Sequence, residues 1–309
     1  MIDPTRKIIF VHPEKSGGTI IEDTWGARKL MPSVPIDMSE VSLGINLTYP
    51  YVYWPEQTAN ASFLYNKIPK EERSEWKTIG IVRNPGDRIL SRHRYFLQAD
   101  DALFASAKSA GLIDPEGIWP ELLIQDIIKR SSSSYSESSL QYTKFDSGEL
   151  DYLLRLENLK EDWSNMINAL DLKGLPPELP AEYNAPKPKY NILHYVKLPT
   201  TRIQLAYLLR QDLESFGYGL GVIPVKEQSE ILNTAQLNGT SVSDLNFLRR
   251  IFTSETSVMS KLGNTPILYP TDKNQQSVNT IEAQHIENRN KINNMLPKRK
   301  SCCGGGRVK

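Results

Sequence analysis

Residues suited to binding an anion are concentrated in a short loop near the start of the chain. Residues 10–19 read FVHPEKSGGT, and the loop contains Lys15, Ser16, Gly17, Gly18 and Thr19. The glycine pair lets backbone N–H groups turn toward an anion, and a helix beginning at Gly18 adds the positive end of its dipole. Lys15 supplies a positive charge, and the two hydroxyl residues supply further donors. The pattern predicts an anion-binding loop, although an ordinary glycine turn at a helix start would look the same.

The order of lysine and glycine separates this loop from the usual nucleotide-binding loop. In G-x-x-x-x-G-K-[ST] the lysine follows the last glycine. Here Lys15 precedes the glycines, and no glycine stands five residues before Gly18. This order argues against an ATP-dependent kinase or ATPase, which we keep as an alternative.

A second group of polar residues follows another apolar run, in the segment GIVRNPGDRILSRHRYF at residues 80–96. Arg83 ends a predicted strand and can bind a phosphate or sulfate through two parallel hydrogen bonds. Ser91 lies in a predicted helix that can return its hydroxyl group to the same pocket. Arg88 is expected to brace the turn, through Asp87 or through a carbonyl of the sheet.

Strand–loop–helix units position both loops. Strands are predicted in RKIIFVH, in KTIGIVRNP and at residues 152–156, and a helix is predicted after each of them. Such alternation predicts an α/β fold with a central, mainly parallel sheet, whose ligands bind at the carboxyl ends of the strands. Arg92 and Arg94 are expected on the solvated face of the helix that carries Ser91.

Composition limits the classes of partner. The chain has 309 residues and a formal net charge of +1, so no overall basic field indicates nucleic acid. The cysteines are Cys302 and Cys303, which excludes a disulfide framework and a cysteine metal site. The sequence lacks a signal-peptide apolar region and a run of about 20 apolar residues, so a cytoplasmic protein without a transmembrane segment is expected.

Four segments, taken in order, resemble the sulfotransferases that use 3′-phosphoadenosine 5′-phosphosulfate (PAPS), in particular the carbohydrate sulfotransferases. The first loop resembles their P-K-[ST]-G-G-T loop, with Glu14 in place of the proline. The second resembles their R-N-P-x-x-R-x-x-S segment. YLLRLENLKEDW, at residues 152–163, resembles their F-E-N-L segment, and RQDLESFGYG, at residues 210–219, resembles their terminal D-x-x-x-F-G-Y helix. The likeness covers residues 5–220.

The resemblance implies a P-loop-like, three-layer fold and transfer of a sulfuryl group from PAPS to a hydroxyl of a carbohydrate-type acceptor, leaving adenosine 3′,5′-bisphosphate. It implies that Lys15 stabilises the departing oxygen and that residues 16–19 bind the 5′-phosphate. It implies that Arg83 and Ser91 bind the 3′-phosphate. No metal is required.

A general base must accept the proton of the acceptor. The place that relatives fill with His or Glu matches Glu56 here, and a solvated loop carboxylate is the equally weighted alternative. Tyr53 and Trp54 are candidates for stacking on a sugar. Lys187 and Lys189 are candidates for contacting phosphate, or are part of a solvated proline-rich loop.

The domain organisation follows from the extent of the resemblance. We expect a catalytic domain at residues 1–220, a partly helical extension of unknown function at 221–295, and a disordered basic tail at 296–309. A non-catalytic relative that binds a glycan or a nucleotide is a further alternative. The oligomeric state is left open.

Overall fold

The computed structural model of the chain describes residues 1–25, 60–66, 68–131, 140–145, 149–180, 190–253 and 267–268. Its central sheet has four strands, and a short antiparallel pair lies beside it. The strands are β1 (Ile2–Asp3), β2 (Ile8–Val11), β3 (Lys77–Val82), β4 (Glu149–Leu150), β5 (Tyr152–Arg155) and β6 (Ile267–Leu268). The central order is β1-β2-β3-β5, and β4 pairs with β6.

The pairing directions confirm the predicted class. Strands β2, β3 and β5 are parallel, and only the short β1 runs antiparallel to β2. Val11 pairs with Gly80, and Val82 pairs with Arg155. The three parallel strands therefore end at the same edge of the sheet, where both candidate loops begin.

Eleven α-helices lie in the described residues. They are α1 (Gly18–Trp25), α2 (Ala61–Tyr65), α3 (Pro85–Ala99), α4 (Asp101–Ser109), α5 (Pro120–Ser131), α6 (Leu159–Ala169), α7 (Ile192–Tyr195), α8 (Pro199–Leu208), α9 (Arg210–Phe216), α10 (Val225–Leu237) and α11 (Val242–Thr253). Three 3-10 helices cover Lys70–Glu75, Tyr142–Phe145 and Leu156–Asn158.

Helices cover both faces of the sheet because its strands alternate between two apolar clusters. Ile8 and Phe10 of β2 belong to a cluster with residues of α1 and α6. Ile9 and Val11, which point the other way, belong to a cluster with residues of α5, α8 and α11. Every residue of β2 is buried, as expected for a parallel strand between two helical layers.

Residues 200–217 form two helices rather than one. The apolar periodicity of residues 200–217 predicts one helix that Gly217 ends, but the helix is broken at Leu209, whose ψ of 2° lies outside the helical region. The break separates the wholly buried residues 201–208 of α8 from α9. Gly217 ends α9 in the left-handed conformation, as its position in the sequence predicts.

The segment beyond residue 220 contributes to the same core. Backbone N–H groups of Leu220 and Ile223 donate to carbonyls of Ile251 and Phe252 at 2.9 and 3.2 Å. Helix α10, for which we identified no signal, buries Ile231 against the central cluster. No helix among the described residues is long and apolar enough to cross a membrane.

Candidate anion-binding site

The first loop joins β2 to α1 through a tight turn at residues 12–17. Lys15 and Gly17 both have positive φ angles, of 64° and 93°. For a lysine this backbone conformation is uncommon, and such strain concentrates at functional sites. The Ser16 hydroxyl, expected to face the ligand, donates instead to the Pro13 carbonyl at 2.6 Å and is fully buried. Ser16 can therefore offer its backbone to an anion, while Thr19 on α1 is exposed.

The second glycine of the pair is required by a close neighbour. A Cβ atom at Gly18 would overlap the ring of His12. Burial lowers the pKa of His12 to about 3, so its imidazole is neutral at pH 7. Its Nδ1 lies 3.6 Å from Oε1 of buried Glu22. The His12 ring thus packs against Gly18 of the turn, which is a structural role.

The two loops meet directly. The Arg83 guanidinium donates through Nη1 to the Lys15 carbonyl at 3.4 Å, across 68 positions of sequence. Arg83 follows the last residue of β3 and is 9% exposed. The residues proposed for the two ends of one ligand therefore belong to one site at the edge of the sheet.

Helix α3 begins at this edge because Asn84 caps it. The Asn84 side chain accepts from the backbone N–H groups of Gly86 and Asp87, and Pro85 occupies the first helical turn. Its amide nitrogen donates to the Gly219 carbonyl at 2.9 Å. The cap thus ties the second loop to the segment that follows α9.

Glu157 is a supporting residue for which we predicted no role. Its carboxylate accepts from the Asn84 backbone N–H at 2.5 Å and from the Tyr218 hydroxyl at 2.9 Å. The preceding residue, Leu156, is the side chain that a Cβ at Gly17 would overlap. The LENL segment (residues 156–159) therefore contacts both loops, and the FGYG segment (residues 216–219) hydrogen-bonds to Glu157 and to Asn84.

Gln141 holds the backbone of Arg83 through two hydrogen bonds. Its N–H donates to Oε1 of Gln141 at 2.8 Å, and the Gln141 amide donates back to the Arg83 carbonyl at 2.6 Å. Asp212 of α9 accepts in turn from the backbone N–H groups of Gln141 and Tyr142, each at 3.0 Å. Gln141 and Asp212 are both fully buried. No local sequence pattern indicates these hydrogen bonds, because Gln141 lies 58 positions from Arg83 and 71 positions from Asp212.

The arginines of α3 hold Glu14, the acid beside the anion loop. Arg88 donates through Nη1 to the Glu14 carbonyl at 3.1 Å, a loop carbonyl rather than the sheet carbonyl or Asp87 that we expected. Nε of Arg92 lies 3.3 Å from the Glu14 carboxylate. The prediction that Arg92 is a solvated residue is wrong, since its side chain is 23% exposed and paired. Two arginines of α3 thus contact Glu14, Arg88 at its backbone carbonyl and Arg92 at its carboxylate.

Positive side chains converge at Lys15. The pKa of Lys15 is lowered, first by burial and then by the nearby Arg83 and Arg94, while Glu14 opposes the change. Its ammonium group lies 4.2 Å from the centre of the Tyr95 ring. A bound anion would raise the pKa of Lys15, because its negative charge offsets the repulsion from Arg83 and Arg94.

A small cavity of about 20 Å³ lies beside these cations. Arg83, Ser91 and Arg94 line it, together with the carboxylates of Asp87 and Glu116. Arg83 and Ser91 thus line the same cavity, and Arg94, which we expected in solvent, lines it too. Burial raises the pKa of Asp87 to about 6, so the pocket keeps one carboxyl that titrates near neutrality.

The remaining candidates lie outside the described residues. These are Glu56, Tyr53, Trp54, Lys187 and Lys189. Among the residues that are described, no group of three His, Cys, Asp or Glu side chains is arranged to hold a metal ion.

Comparison with known proteins adds no assignment. No protein-family model, curated protein or solved structure matches this chain. The interpretation of the site therefore depends on its own geometry and on the four segments quoted above.

Proposed function

We propose that this chain is a PAPS-dependent sulfotransferase acting on a hydroxyl group of a carbohydrate-type acceptor. The observation that carries the proposal is the bond between the Arg83 guanidinium and the Lys15 carbonyl. It joins the two loops whose sequences resemble the donor-binding segments of that family. A P-loop-like, three-layer arrangement of the fold belongs to the same proposal.

The proposed chemistry is an in-line transfer of the sulfuryl group. The bond between sulfur and the bridging oxygen breaks, a bond from sulfur to the acceptor oxygen forms, and the acceptor proton passes to a base. Lys15 stabilises the negative charge that develops on the bridging oxygen, and the backbone of residues 16–19 binds the 5′-phosphate. Glu56 remains the proposed base.

Donor selection is assigned to the second loop. We assign the 3′-phosphate to Arg83, Ser91 and Arg94, which line one small cavity and can offer charge-assisted hydrogen bonds beside it, although Asp87 and Glu116 also line this cavity. ATP has no phosphate at that position. A kinase would bind ATP with Mg²⁺ at least as tightly as adenosine 3′,5′-bisphosphate, so a comparison of the two affinities distinguishes the alternatives.

Transfer of labelled sulfate from PAPS to a panel of glycans tests the activity. We expect product with the wild type and none with Lys15→Ala, because the departing charge then lacks its cation. Retained transfer in Glu56→Gln would remove Glu56 as the base. Tight binding of adenosine 3′,5′-bisphosphate without transfer to any acceptor would favour a non-catalytic binding protein.

A further inference from the structure

A larger cavity lies beside the anion site but is not part of it. It has a volume of about 270 Å³ and lies among α3, α4, α5 and the end of α8. Neither Lys15 nor Ser91 lines it. Leu122 and Leu208 form part of its apolar wall, and Phe96 and Leu103 also line it. The last two are 49% and 40% exposed, which places them at its mouth.

The polar part of this cavity is mainly cationic. Its lining includes Arg88, Arg92 and Arg130 but only one carboxylate, that of Asp126. The Arg130 guanidinium donates to Asp126 through Nε at 2.8 Å. Its remaining N–H groups point from the same planar fork, which suits a second, bidentate acceptor.

The three guanidinium groups are close enough to repel one another. The pKa of Arg92 is lowered, first by burial and second by Arg130, while Glu14 and Asp126 oppose the change. The pKa of Arg88 is also lowered, first by burial, with smaller contributions from Arg92 and Arg130, while Asp212 and Glu14 act in the opposite direction. Nε of Arg92 is buried and makes no aligned hydrogen bond, although Glu14 is 3.3 Å away. A further negative charge here would stabilise the cluster.

We infer that this cavity binds an amphipathic monoanion, with its apolar part against Leu103, Leu122 and Leu208 and its anionic head between Arg92 and Arg130. A water molecule occupies about 30 Å³ of liquid and a methylene group is of similar size, so the cavity accommodates a head group with about seven or eight carbons. A carboxylate or sulfate head would serve. The inference is independent of the proposed sulfotransferase activity.

Calorimetric titration of the full chain with octanoate and with 1-octanol tests the inference, because the two probes share a chain and differ in charge. We expect octanoate to bind about tenfold more tightly or better, since hydrogen bonds to charged groups contribute about 1.5–3 kcal/mol. Equal affinities, or no binding of octanoate, would overturn the inference.

Matched variants locate the site. Leu103→Trp should fill the mouth and abolish binding of both probes, while Leu112→Trp should preserve it, because Leu112 is similarly exposed, at 39%, and does not line the cavity. Arg130→Gln should weaken octanoate about tenfold and leave octanol unchanged. Arg92 is left intact because it also holds Glu14. Octanoate binding that survives both Leu103→Trp and Arg130→Gln would place the ligand elsewhere.

Discussion

Glu157 is only partly buried but should contribute strongly to the free energy of unfolding, because it accepts hydrogen bonds from two buried donors beside the anion site. Its carboxylate accepts from the Asn84 N–H at 2.5 Å and from the Tyr218 hydroxyl at 2.9 Å. Asn84 is 1% exposed and Tyr218 is 6% exposed, so neither donor has ready access to water. Glu157→Ala leaves both donors without this acceptor.

The expected magnitude follows from those contacts. An unpaired buried donor costs about 1–3 kcal/mol, so Glu157→Ala should lower the free energy of unfolding by about 2–4 kcal/mol after partial replacement by water. Tyr218→Phe removes one contact and should lower it by about 1 kcal/mol. Because the two residues share a hydrogen bond, the double variant should lose less than the sum, with a coupling of about 1 kcal/mol.

Urea unfolding of the four proteins measures these values. Glu161→Ala is the control, since Glu161 lies on the next turn, is exposed, and makes only a 3.3 Å contact with Asn158. It should change the free energy of unfolding by less than about 0.5 kcal/mol. A loss below about 1 kcal/mol in Glu157→Ala, or strict additivity with Tyr218→Phe, would show that Glu157 does not stabilise the site through these two hydrogen bonds.

Two further variants test the first loop and the small cavity. Gly18→Ala should lower the melting temperature, because its Cβ would overlap the His12 ring and force the tight turn to move. The expected loss in the free energy of unfolding is about 1–3 kcal/mol. An unchanged melting temperature would contradict this packing. Burial raises the pKa of Asp87 from 3.8 to about 6, so the folded state holds the proton more tightly than the unfolded chain. Stability should therefore fall as the pH rises between those values, and Asp87→Asn should remove this slope and stabilise the protein at pH 7 by about 1–3 kcal/mol. Unfolding curves with the same pH dependence in both proteins would show that Asp87 does not carry the effect.

The framework of the site could be predicted because its signals are local. Apolar runs ended by Pro13 and Pro85 mark β2 and β3, and the parallel arrangement of such strands brings Lys15 and Arg83 to one edge. The observed bond between Arg83 and the Lys15 carbonyl agrees with that reasoning. Gly217 likewise ends a helix where the pattern places its end.

The supporting contacts could not be predicted because they join distant positions. A carboxylate such as Glu14 is unfavourable beside an anion loop when the sequence is taken alone. Only the fold shows that Arg88 and Arg92, which lie 74 and 78 positions further along the chain, contact it. The hydrogen bonds that Gln141 makes with Arg83 and Asp212 likewise join distant positions. Arg94 and Arg92 have identical chemistry in the sequence, and the rotation of α3 alone decides that one meets the small cavity and the other meets Glu14.

Binding of adenosine 3′,5′-bisphosphate, compared with adenosine 5′-monophosphate, tests whether the two loops hold one ligand. The wild type should prefer the bisphosphate by about tenfold or more, through charge-assisted bonds to the 3′-phosphate. Calorimetry should show that Arg83→Ala loses about 10- to 100-fold in affinity for the bisphosphate and a smaller factor for the monophosphate, for which only the contact with the Lys15 carbonyl is lost. Arg249→Ala, which removes an exposed arginine of α11, should change neither. Unchanged bisphosphate affinity in Arg83→Ala would contradict the proposed site.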